Sequence, residues 1–232
     1  MKENIFKTEE DARRSATISI GDLIETHRSK PVLLFLSGGS ALSFIDGVQL
    51  PEDCGNLTLA LLDERYDVDK ENKNFSGLSG TSFFKMALDR GANYIEIEDK
   101  QDLLETAHLY DEKIKKWIEQ NKDSVLLAVL GIGSDGHTAG IFPDDDLERF
   151  NLNFNDTGHF IAGVDVGDRN QFRFRITATF TLLKQVSSAI VFAASENKNK
   201  ILDNLKEEIP LHKFPAQVVK EIKSAEIFRL SR

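Results

Sequence analysis

Short apolar runs that lead straight into loops of glycine and small polar residues restrict this chain more than any other feature. Leu33–Leu36 runs into Ser37-Gly38-Gly39-Ser40, Leu59–Leu62 into Asp63-Glu64-Arg65, and Val125–Leu130 into Gly131-Ile132-Gly133-Ser134-Asp135-Gly136-His137. Runs of this kind form strands, and one with hardly a polar break must be buried on both sides. The pattern predicts strands over Val32–Leu36, Leu57–Leu62, Tyr94–Ile97, Val125–Leu130, Phe160–Val164, Ala189–Ala193 and Glu226–Leu230. Between them lie stretches with apolar residues at helical spacing, at about 8–28, 79–89, 103–118 and 196–206. The clearest carries Leu103, Leu104, Ala107, Tyr110, Ile114 and Trp117 on one face and charge on the other. Strand–helix alternation of this sort gives an α/β fold: a mostly parallel sheet with helices on both faces, here in a single domain over residues 1–232.

The 144–158 segment is Asn/Asp-rich and weakly periodic, and reads as a loop. Asp144-Asp145-Asp146 within it reads as a solvated turn rather than a metal site, because ligating carboxylates usually alternate along a chain. The net charge of −9 disfavours nucleic acid, whose phosphates need clustered Lys and Arg. A small anionic ligand remains compatible, since a local pocket can be basic on an acidic protein. One cysteine, Cys54, excludes an intrachain disulfide and a paired-thiol metal site. Residues 1–10 are polar and unlike a signal peptide, and no apolar run approaches the ~20 residues that span a bilayer. The expected setting is cytoplasmic, with no membrane partner.

Ligands of open α/β sheets bind at the carboxyl ends of strands, where the three loops would gather. The first, Ser37–Ala41, lets backbone approach a ligand at Gly38 and Gly39 and adds the hydroxyl of Ser40. The apolar positions after it suggest a helix start, whose free N–H groups attract anions. A plain strand–helix turn with Ser40 as cap fits equally. In the second, Arg65 can hold a phosphate or orient a carboxylate with its planar fork, or belong to a surface ion-pair turn. The third matches G-x-G-x-x-G, a dinucleotide signature, but it falls past mid-chain and lacks the ribose-binding acid about 20 residues on. His137 stands among glycines there, able to take a proton from water near neutral pH. Asp135, two residues earlier, is placed to orient it or to bind a substrate hydroxyl.

Together these segments resemble the 6-phosphogluconolactonase family, in the wider group that includes glucosamine-6-phosphate deaminase. The resemblance rests on Ser37-Gly38-Gly39-Ser40, on Asp63-Glu64-Arg65-Tyr66 with Asn74-Phe75, and on Gly131–Ala139 ending at Phe142-Pro143. Arg175-Ile176-Thr177, Asn197-Lys198 and Pro215-Ala216 extend it through most of the chain. It implies a Rossmann-like domain of the deaminase/isomerase type that hydrolyses 6-phospho-D-glucono-1,5-lactone, a small phosphorylated sugar lactone, with no metal and no nucleotide cofactor. It implies His137 as general base. Gly38, Gly39, Ser40, Arg65, Arg175 and Lys198 would hold the phosphate or line its pocket, and Asn74 joins this set. Asp63 and Asp135 would lie near the sugar. Monomer and homodimer stay open.

The chain departs from the family pattern at Leu42, where a proline is usual, and at Lys73, which replaces a serine and adds a charge that reaches either phosphate or solvent. The 144–173 stretch departs most. The deaminase reading needs a glutamate five residues after the histidine, and this chain has Phe142 there. A non-catalytic sugar-phosphate sensor and a nucleotide-dependent oxidoreductase are the further alternatives.

Overall fold

A computed structural model describes residues 1–155 and 158–231. Its strands are β1 (Lys2–Phe6), β2 (Val32–Leu36), β3 (Leu57–Leu61), β4 (Asp63–Tyr66), β5 (Asn93–Tyr94), β6 (Val125–Leu130), β7 (Ile161–Asp165), β8 (Phe174–Ala178), β9 (Ser188–Phe192) and β10 (Ser224–Leu230). The helices are α1 (Glu9–Thr26), α2 (Asn74–Gly80), α3 (Ser82–Asp89), α4 (Leu103–Gln120), α5 (Leu147–Phe154), α6 (Phe180–Leu183) and α7 (Asn199–Asp203).

Seven strands form one sheet in the order β1-β10-β9-β6-β2-β3-β5, and every neighbouring pair is parallel. Every residue of β2, β3 and β6 is buried, as two-sided cover requires. Along β2, Leu33 and Phe35 face a core completed by Ala107, Tyr110 and Ile114 of α4. Val32, Leu34 and Leu36 face the opposite core, completed by Ala12, Ala16, Ile20 and Ile24 of α1. Side-chain caps start both long helices: Thr8 accepts from Asp11 N–H, and Asp102 accepts from Glu105 N–H. No helix among the described residues is long and apolar enough to cross a membrane.

The chain departs from the expected order in several places. β4, β8 and β7 form a separate antiparallel sheet in the order β4-β8-β7, so the predicted Phe160–Val164 strand belongs there and not to the main sheet. The polar N-terminus supplies edge strand β1, paired with β10. The strand expected over Tyr94–Ile97 shrinks to Asn93–Tyr94. The stretch at 79–89 is two helices, divided where Thr81 caps α3. The stretch at 196–206 is the single turn α7 between 3-10 turns.

The expected 144–158 loop contains α5, capped by Asp146, with Phe150 and Phe154 buried; Asp156 and Thr157 lie outside the described residues. Asp144 is buried rather than solvated, and it binds Arg149 (2.6 and 2.9 Å) and Arg169. Among the described residues no cluster of His, Cys, Asp and Glu has the arrangement of a metal site.

The topology fixes where a ligand can bind. The chain moves from β2 to β3 on one side, then crosses to β6 on the other. That reversal opens a crevice at the carboxyl ends of β2 and β6. β2 and β6 are in register, Leu36 opposite Val129, so the Ser37 and Gly131 loops leave the sheet side by side.

Candidate active site

A cavity of about 320 Å³ lies over that crevice, at the small end of the range for small-molecule sites. Gly38, Gly39, Ser40, Asp63, Arg65, Asn74, His137, Arg175 and Lys198 all line it. Asp135, the expected partner of His137, stays off the lining. It sits behind the imidazole, with Oδ1 2.6 Å from His137 Nδ1 and 3.1 Å from the His137 backbone N–H.

This arrangement defines the histidine. Burial works to raise the Asp135 carboxyl, but the hydrogen bond and charge of His137 outweigh it and hold the acid below the ordinary aspartate value. Asp135 is therefore ionised at neutral pH, and a carboxylate at Nδ1 favours the tautomer that carries its proton there and leaves Nε2 as the acceptor. The loop around His137 is fastened at several points. Gly133 N–H donates to His137 O (2.8 Å), Thr138 Oγ1 to Gly131 O (2.8 Å), and Ala216 N–H to Gly136 O (3.0 Å). Gly133 is a close-approach position: a Cβ there would lie 2.1 Å from the imidazole. Phe142 packs on the other side, 4.5 Å between ring centroids. An apolar ring thus stands beside the imidazole at the position where the deaminase pattern calls for a carboxylate.

The cations converge by strand pairing. β4 and β8 set Arg65 directly opposite Arg175, and like charges so placed repel. Burial, aided by the charge of Arg65 and opposed by Asp63, pushes the Arg175 guanidinium below its ordinary pKa. Such a pair is stabilised by an anion between the two. Phe172 roofs both, 4.2 Å from Arg65 and 6.0 Å from Arg175. Arg65 donates to Asn72 O at 2.6 Å, while its buried Nε has no partner among the described residues. Arg175 is tied by NH1 to Asp63 Oδ2 (3.2 Å), by NH2 to Asn170 Oδ1 (3.0 Å) and by Nε to Phe172 O (3.2 Å). Lys198 reaches in from the turn before α7 and donates to Ile132 O at 2.5 Å. Burial lowers its pKa, against the pull of Asp135.

One expectation needs correction. The first loop does not start an α-helix. Gly39–Leu42 is a 3-10 turn, and a second follows at Ile45–Gly47, so no helix end supplies the attraction for an anion. The cationic side chains on the lining are Arg65, Arg175 and Lys198. Lys73, which the sequence left open between phosphate and solvent, pairs with Asp99 and does not line the cavity. Sequence reasoning also missed the wall formed by Asn170, Gln171 and Phe172. These residues lie in the most divergent stretch and carry no motif. Only the β7–β8 pairing, which returns the chain to Arg175, would have revealed them.

The family model for glucosamine-6-phosphate isomerases/6-phosphogluconolactonase matches residues 8–228. The chain belongs to this family. Within it, a protein of Dictyostelium discoideum named "Probable 6-phosphogluconolactonase" is 26% identical over 225 residues, 93% of this chain and 84% of that protein. The 6-phosphogluconolactonase of Homo sapiens is 25% identical over 194 residues, 80% of this chain and 72% of the human one. Among solved structures, 6-phosphogluconolactonase from Plasmodium vivax superposes with a TM-score of 0.80 at 19% identity, covering 99% of this chain and 91% of that one. That likeness carries the fold; the family's two activities must be told apart at the site.

Proposed function

We propose that this chain hydrolyses 6-phospho-D-glucono-1,5-lactone to 6-phosphogluconate in the cytoplasm, with no metal or nucleotide. The observation that carries the reading is a single cavity shared by an acid-oriented imidazole and a cross-strand arginine pair. The arginines and Lys198, with Gly38, Gly39 and Ser40, hold the phosphate and so place the lactone carbonyl near His137. His137 Nε2 takes a proton from water as the water oxygen bonds to C1. The carbonyl electrons move onto oxygen, and fixed donors stabilise the resulting oxyanion. The oxyanion then collapses, breaking the C1–ring oxygen bond, and the imidazolium returns the proton to the departing oxygen. The new carboxylic acid ionises, so each turnover releases one proton. Asp135 holds the tautomer throughout, while Asp63 and Asn74 line the cavity beside Arg175 and the Gly38 loop.

Phe142 favours this chemistry over deamination. Ring opening of an amino sugar needs a second acid–base group near the imidazole, and an apolar ring occupies that place. The test compares proton release from freshly prepared lactone, against a no-enzyme blank, with ammonia release from glucosamine 6-phosphate. Lactone hydrolysis without ammonia is expected. Ammonia release would assign the chain to the family's other activity, and silence in both with sugar phosphate still bound would assign it to a sensor.

A further inference from the structure

One buried carboxylate takes no part in the steps above. Glu64 follows Asp63 on β4, is 2% exposed and does not line the cavity. A carboxylate so placed is costly unless bonded, and three backbone N–H groups converge on it. Arg65 N (2.7 Å) and Asn74 N (2.6 Å) donate to Oε1, and Phe75 N (2.9 Å) donates to Oε2. These bonds close the excursion after β4 and pin the residue where the chain re-enters the site. That residue is Asn74. Its Nδ2 donates to Asp63 O (2.9 Å) and to Asp63 Oδ2 (3.1 Å). Its amide oxygen packs so tightly on the first loop that a Cβ at Gly38 would lie 2.2 Å away. Asp63 Oδ2 in turn receives Arg175. The contacts form a continuous buried chain from Glu64 through Asn74 to both phosphate-side walls.

We infer that Glu64 is a positioning residue: through the backbone of Asn74 it sets the place of the Gly38–Ser40 loop and of Arg175, and thereby the affinity for the phosphate end of the substrate. The identity of that substrate rests on the lactonase reading. The position demands a carboxylate, because both oxygens must accept. An amide of the same shape turns one acceptor into a donor facing an N–H. His137 lies outside this chain of contacts, fastened by its own loop, so the effect falls on binding rather than on the proton transfer.

The test is Glu64→Gln, assayed well below its Tm. The KM for the lactone is expected to rise about tenfold or more, with kcat within about threefold. Asn74→Ala cuts the next link, and the double variant is expected to be no worse than Asn74→Ala alone, as two links in series behave. A lower Tm with unchanged KM, or additive effects in the double variant, would mean that Glu64 only closes a loop, and would overturn the inference. If Glu64→Gln does not fold, Glu64→Asp, whose carboxylate is one methylene shorter, carries the same readouts. A measurement without substrate separates this from the lactonase reading. Amide NMR signals of Gly38 and Gly39 should shift in Glu64→Gln together with those of Arg65, Asn74 and Phe75. Shifts confined to the three donors would overturn the role whatever the wild-type chain hydrolyses, and a wild type inactive on lactone would overturn the lactonase reading alone.

Discussion

At the scale of single residues, the two arginines illustrate how one charge type serves two ends. Both line the cavity, but Arg175 is buried and tied to Asp63, while Arg65 is half-buried and its Nε has no partner among the described residues. A phosphate contact acts in ground and transition states alike, so removing either should raise KM more than it lowers kcat. Their effects on folding should differ. Arg175→Ala leaves Asp63 buried without its counter-ion and is expected to cost about 3 kcal/mol of stability. Arg65→Ala should leave the Tm within a few degrees. Thermal melts and steady-state kinetics on both variants decide the matter; equal losses of Tm would contradict the division. The sequence marked both positions as phosphate ligands by resemblance. It could not show that Arg175 also joins two sheet strands and the 166–173 wall, because that role depends on partners 112 positions away in the case of Asp63.

Among the elements, the loop after β6 carries His137, and Gly133 leaves the room that its imidazole occupies. Gly133→Ala would drive a methyl into His137, whose side chain can swing away at little cost to the fold. The variant is expected to lose at least about tenfold in kcat with little change in Tm. Full activity would mean that the imidazole does not need its observed position. The central strands were legible because burial on both faces leaves an unbroken apolar run, as in Val125–Leu130. β1 was hidden because an edge strand needs only part of its surface apolar: Ile5 is 60% exposed and the rest of the strand is polar but for Phe6. α5 was hidden because asparagines at 151, 153 and 155 mask the spacing of Leu147, Phe150 and Phe154. β4 and β8 were obscured by their own chemistry, since Asp63-Glu64-Arg65 and Arg175-Ile176-Thr177 attract attention as motifs before they can be seen as paired strands.

For the whole molecule, the carboxylates set the response to acid. Asp144 is held well below the ordinary aspartate value: burial works against this, and Arg149 and Arg169 overcome it. The bond to Arg173 brings Asp165 down to about 2, partly opposed by desolvation. A group depressed in the folded state stabilises the protein above its unfolded pKa, and that stability is lost as the pH falls through the folded value. Stability should therefore decline from about pH 4 downward. Glu64 acts in the opposite sense, because burial raises it despite its three N–H donors. Its contribution is greatest in acid and is lost as the pH rises through its folded value. Asp144→Asn should flatten the decline seen in melts between about pH 4 and 2; an unchanged slope would show that the acid response arises elsewhere.

In the proposed reaction a histidine oriented by an ionised aspartate removes a proton from water inside the cavity that holds the phosphate. The most direct measurement is proton release from 6-phosphogluconolactone by His137→Asn beside the wild type, corrected for spontaneous hydrolysis. A fall in kcat of about 10²–10⁴ is expected, the usual share of a general base, with KM nearly unchanged because the arginines and Lys198 are untouched. A His137→Asn enzyme that turns over at the wild-type rate would contradict it.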